Sequence, residues 1–104
     1  MNAQGQFDRV ADELADLGVT TAKVFGKPSM MSGGKAFGCL FGDAMACRLG
    51  AGTAQHAAAL AEAGTELFDP SGSGRAMKDW VVVPLAAVDR WAGYAEAARA
   101  HLSG

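Results

Sequence analysis

Residues 35–49 read Lys35-Ala-Phe-Gly-Cys-Leu-Phe-Gly-Asp-Ala-Met-Ala-Cys-Arg-Leu49, and this stretch decides the fold. Phe37, Cys39 and Phe41 alternate with their neighbours, as do Met45, Cys47 and Leu49, which is the period-2 signature of strands. Gly42-Asp43 separates the two runs, so they are predicted to pair as an antiparallel hairpin. Directly opposed residues share one side of a sheet. That condition is met when Phe41 faces Met45, Cys39 faces Cys47 and Phe37 faces Leu49 across an odd loop of Gly42, Asp43 and Ala44. The other face then presents Ala36, Gly38, Leu40, Ala46 and Arg48. Such a face is small and apolar for a solvated surface, so it is the first candidate for meeting a partner.

Upstream, Phe7, Val10, Leu14 and Leu17 follow helical spacing among acidic residues, predicting an amphipathic helix that ends at Gly18. Thr20 to Gly26 reads as a strand, which Lys27-Pro28 interrupts before Met30-Met31, so one bent, bulged or edge strand is expected there. Downstream, Ala51 to Ala63 is a small-residue helix with Leu60 as its large anchor, ended by Gly64. A short strand over Thr65–Asp69 and a flexible loop over 70–74 follow. Met77 to Val83 is apolar on both faces, as in a strand buried from both sides. The last helix, about Leu85 to Leu102, carries the stripe Val88, Trp91, Ala95, Ala98 and Leu102. The reading is one α+β domain spanning 1–104, two layers, with an antiparallel sheet of about five strands in the order α-β-β-β-α-β-β-α.

A chain of 104 residues has room for one core, and its 50% hydrophobic content sets it apart from disordered sequences. By count, residues 1–19 carry −3, 20–50 carry +3, 51–74 carry −3 and 75–104 carry +1, giving the net −2. Nucleic-acid binding through phosphates calls for a strong basic excess, so this balance disfavours it. No run approaches the ~18 apolar residues that span a bilayer, and residues 1–9 lack a basic region followed by an apolar one. A cytoplasmic protein without membrane association is expected. Two cysteines make neither a secreted disulfide framework nor a cysteine-only zinc site.

Three landmarks give the chain a family resemblance. Val24-Phe25-Gly26 stands where the TfoX/Sxy amino-terminal domain has Met-Phe-Gly. Arg48-Leu49-Gly50 resembles its Arg-hydrophobic-Gly before the middle helix. Gly74-Arg75-Ala76-Met77-Lys78-Asp79-Trp80-Val81-Val82-Val83 resembles its Gly-Arg-Pro-Met-Lys-Gly-Trp/Tyr-Val strand. The resemblance runs over residues 7–102, with Ala76 in place of the usual Pro, Asp79 in place of Gly, and Lys27-Pro28 where a second Gly is common. It implies a two-layer α/β domain with an antiparallel sheet, used in transcription-linked competence regulation when joined to a carboxy-terminal helical domain that this sequence lacks.

Ser32-Gly33-Gly34-Lys35 has the letters of an S-x-x-K nucleophile motif, but two glycines between strands remove the helical geometry it needs. Gly72-Ser73-Gly74-Arg75 lacks the Gly-Lys-Ser/Thr and helix of a phosphate loop, although an exposed Arg75 can touch an anionic partner. His56 and His101 are expected at exposed helix positions, with no metal-ligand spacing near either. No catalytic set, metal or cofactor is expected. Cys39 and Cys47 read first as buried thiols, with a redox-linked cross-strand disulfide as the sharper alternative. Lys23, Lys27, Lys35 and Arg48 read as a solvated rim or as a basic patch. Lys78, inside an apolar strand, is predicted to form a structural ion pair. The helical stripe is expected to pack on the sheet, a coiled-coil homodimer seam being the alternative.

The function expected is therefore a non-catalytic protein-interaction or regulatory domain. A nucleic-acid-linked transcription regulator using the basic sheet residues is the first alternative, and a small-ligand binder or enzyme the second.

Overall fold

Six strands in the order β1-β2-β3-β4-β6-β5 form one antiparallel sheet in the computed structural model, which describes residues 2–24, 26–70 and 72–103. Phe25 of the first landmark, Ser71 of the loop and the two terminal residues lie outside the described residues. The strands are β1 (Thr20–Val24), β2 (Lys27–Ser32), β3 (Lys35–Phe41), β4 (Ala44–Arg48), β5 (Glu66–Phe68) and β6 (Met77–Val83). The helices are α1 (Ala3–Glu13), α2 (Ala54–Leu60) and α3 (Trp91–Ser103), with 3-10 turns over Ala15–Leu17 and Leu85–Arg90. The two-layer α+β class is as expected, with one strand more than the sequence predicted.

The extra strand comes from the segment expected to be one bent, bulged or edge strand; β1 does lie at the sheet edge, but the segment makes two strands. It is a hairpin, with Val24 opposite Lys27 and Thr20 opposite Met31. Pro28 is tolerated because it opposes Lys23 of β1, while the β2 ladder to β3 begins only at Ser29. The central hairpin is also corrected. Phe41 opposes Ala44, Leu40 opposes Met45, Cys39 opposes Ala46 and Gly38 opposes Cys47, across a two-residue turn in which Gly42 has φ 61°. The loop is even because the alternation breaks: between Met30 and Met31 the β2–β3 register shifts, leaving Phe37 as an extra residue between Ala36 and Gly38. This β-bulge turns Phe37 to the same side as Gly38 and Leu40 and leaves Cys39 and Phe41 on the other.

All three helices sit on one face of the sheet, the inner face. Phe7, Val10 and Leu14 of α1, Trp91, Ala95 and Ala98 of α3, and Met30, Phe37, Met45, Val81 and Val83 of the sheet make the main core. Each large side chain buried there contributes roughly 1.5–3 kcal/mol. Ala95 and Ala98 let α3 approach the strands closely, so the stripe is used up on its own sheet, as expected, with Val88 and Leu102 packed at its ends. Buried Trp91 donates its indole N–H to the Pro84 carbonyl at 3.2 Å. The first helix starts a turn earlier than its apolar spacing suggests because the Asn2 side chain accepts from the Gly5 N–H at 3.0 Å.

In α2 the anchor differs from expectation. Leu60 is exposed, whereas Ala59 and His56 are buried. His56 was expected in solvent; instead its Nε2 lies 2.8 Å from the Lys78 carbonyl, which the tautomer protonated at Nε2 satisfies.

Candidate functional site

Among the described residues, the outer face of the sheet carries no helix and is covered by its own side chains. A row of opposed residues crosses all six strands: Ala22, Ser29, Cys39, Ala46, Val82 and Glu66. Its centre is small, and aromatic side chains close over it. Phe41 and Phe68 meet edge to face with ring centroids 5.0 Å apart, and Phe68 lies 6.0 Å from Trp80. Strands β3 and β5 are separated by β4 and β6, about 14 Å at the usual strand spacing. Phe68 therefore leans inward across two strands, and with Phe41, Trp80 and Val82 it buries Ala46 completely and Cys39 to 7% exposure.

Beside this roof lies Pro70, which follows β5 by two residues. Gly74 N–H donates to the Asp69 carboxylate at 2.9 Å and Gly72 N–H to the Asp69 carbonyl at 3.2 Å, pinning the turn. Pro70 shares a cleft of about 320 Å³ with Val24 and Lys27 from the far side of the sheet. Phe68, Met77 and Trp80 supply its other apolar walls, and Ser29 and Cys39 its floor. The Lys27 ammonium stands 5.7 Å from the centre of the Phe41 ring, within range of a cation–π contact. The Ser29 hydroxyl donates to the Lys27 carbonyl at 3.1 Å. Burial pushes the Cys39 thiol up to about 11 against a smaller lowering by Lys27, so near neutral pH it is a protonated, weakly nucleophilic thiol.

Most residues singled out in the sequence scatter. Of the predicted outer surface, Ala36, Ala46 and Arg48 lie on the outer face, but Gly38 and Leu40 face the helices, because the bulge at Phe37 reverses the alternation. Cys39 and Cys47 are both free and lie on opposite faces, so the register that opposed them does not exist. Cys47, fully buried, is pushed up to about 12 by that burial. The four basic residues make no single patch. Lys23 sits beside α1 with Gln4 and Asp8, Lys27 is in the outer cleft, and Lys35 is exposed at the β2–β3 turn. The Arg48 guanidinium is 3.8 Å from Asp79. Lys78 is exposed and makes no salt bridge among the described residues; its backbone carbonyl is what the fold uses, through His56. Arg75 is exposed, as expected.

Two of the landmarks meet at Asp79. Its carboxylate accepts the Ala51 N–H at 2.9 Å and its carbonyl accepts Gly50 N–H at 3.0 Å, tying the end of β4 to β6. The Ala51 N–H, helped by Arg48, holds the Asp79 carboxyl below its ordinary range. His101 closes the corner, since a Cβ on Gly50, at φ 85°, would strike its ring.

Sequence reasoning missed Val24, Phe68, Pro70, Met77 and Trp80 as cleft residues. Their apolar character was legible, but their meeting depends on β6 inserting between β4 and β5. No family model, curated protein or solved structure matches the chain. No helix among the described residues is long and apolar enough to cross a membrane.

Proposed function

We propose that the chain is a non-catalytic, cytoplasmic interaction module of regulatory type, as the resemblance to the TfoX/Sxy amino-terminal domain implies, and that it meets a protein partner on the outer sheet face. The observation that carries this reading is the partly buried strip of Phe41, Trp80 and Val82 on a face that no helix among the described residues covers. Such a strip suits a partner that presents apolar side chains. The nucleic-acid alternative loses support because Lys23 and Lys27 diverge and Arg48 is engaged by Asp79.

The test is crosslinked affinity capture with two charge insertions of matched kind. Val82→Lys, on the outer face, is expected to weaken capture about tenfold, and Leu60→Lys, on exposed α2, to leave it unchanged. Equal capture by both variants, or a salt-sensitive shift of DNA by the purified chain, overturns the reading. Where light scattering gives a mass above the 10.6 kDa of one chain, the same Val82→Lys change separates a second copy from a different protein.

A further inference from the structure

We propose that the outer-face cleft between Lys27 and Pro70 is a binding site for a small organic anion with an apolar body, of the size and kind of a medium-chain carboxylate. The inference goes beyond the partner reading, because it concerns the interior of the cleft and the isolated chain.

Size comes first. At about 320 Å³ the cleft stands near the lower end of the roughly 300–1,000 Å³ usual for small-molecule sites. At roughly 30 Å³ per heavy atom, the share of one water in the liquid, it holds about ten heavy atoms. Chemistry comes next. Val24, Phe68, Pro70, Met77 and Trp80 offer hydrocarbon and ring surface, so most of the ligand must be apolar. Among the described residues, Lys27 is the one formally charged residue of the lining, and none of the lining residues is a carboxylate. The Ser29 hydroxyl is committed to the Lys27 carbonyl, and the Cys39 thiol is neutral. A cation at the edge of an apolar cleft, stacked on Phe41 and without a salt bridge among the described residues, selects an anionic end. A bound carboxylate would gain the ammonium as its partner while its chain displaces water from the walls.

Trp80 and Cys39 make the site self-reporting. The other tryptophan, Trp91, is buried in the inner core, and the other thiol, Cys47, is wholly buried there too. The experiment titrates the purified full chain with octanoate, 1-octanol and octylammonium, followed by tryptophan fluorescence and by the rate of Cys39 alkylation with iodoacetamide. Octanoate is expected to bind with a Kd of about 1 mM or below and about tenfold more tightly than 1-octanol. It is also expected to slow Cys39 alkylation. Lys27→Gln should bring octanoate down to the octanol value, and Lys27→Arg should keep the preference. Equal binding of the three probes, tighter octylammonium, no response up to 10-fold above the expected Kd, or unchanged alkylation at saturating octanoate each overturns the proposal. None of these readouts depends on a protein partner.

Discussion

At Gly38 a methyl group would have to displace the end of the Met30 side chain. An added Cβ would stand 2.8 Å from Met30 Cε, and Met30 is itself completely buried. Gly38→Ala is expected to cost about 1–2 kcal/mol by overpacking, read as a lower urea midpoint. Gly38→Ala with Met30→Leu should recover most of that loss, since the shorter side chain vacates the contested space. Were Gly38 on the outer face, as plain alternation suggests, neither effect would appear. The sequence could not reveal this, because a bulge adds one residue without changing composition: Phe37, Cys39 and Phe41 still read as one period-2 face. His56 was illegible for a related reason. Its acceptor is a backbone carbonyl 22 residues away, and carbonyls leave no mark in a sequence.

Among the elements, those with strong local patterns were legible. Met77–Val83 is the strand predicted, and α3 carries the predicted stripe inward from Trp91 on, while Val88 lies in the 3-10 turn that replaces the start of the expected helix. Where a turn had to be inferred from one weak signal, the reading failed: Lys27-Pro28 looked like an interruption within one strand, yet it opens β2 after the turn. After β5, Asp69 accepts hydrogen bonds from the N–H groups of Gly72 and Gly74, beside the cleft that Pro70 lines. Asp69→Ala removes the acceptor for Gly74, and the expected result is a severalfold faster alkylation of Cys39 with little change in global stability. A lost exposed hydrogen bond costs only about 1 kcal/mol. The thiol's raised value adds a second expectation: the alkylation rate should keep climbing toward pH 11, well beyond the 9.0 of an ordinary thiol. An unchanged rate in Asp69→Ala would mean that this turn does not govern access to the cleft.

For the molecule as a whole, the sheet separates two unequal apolar layers. The inner one holds Trp91, Phe7 and Phe37 under three helices; the outer one rests on Phe68, Cys39 and Ala46 under side chains alone. The layered α+β arrangement was legible because every helix has one apolar stripe that needs a sheet to cover it. The outer cleft was not, since it exists only once strand order is known. Strand order also sets a sequence of events in time. Strands β1 to β4 pair with their chain neighbours, whereas β6 must reach β4 across α2 and β5. The ring of Phe68 can find Phe41 only after both ladders of β6 have closed. That contact should therefore be absent from the folding transition state, and it acts as a latch on a sheet already assembled. Phe68→Leu is accordingly expected to accelerate unfolding about fivefold in stopped-flow measurements while leaving the refolding rate within about twofold. The aromatic bridge would then set how long the native state lasts once formed, and have little say in how quickly it forms.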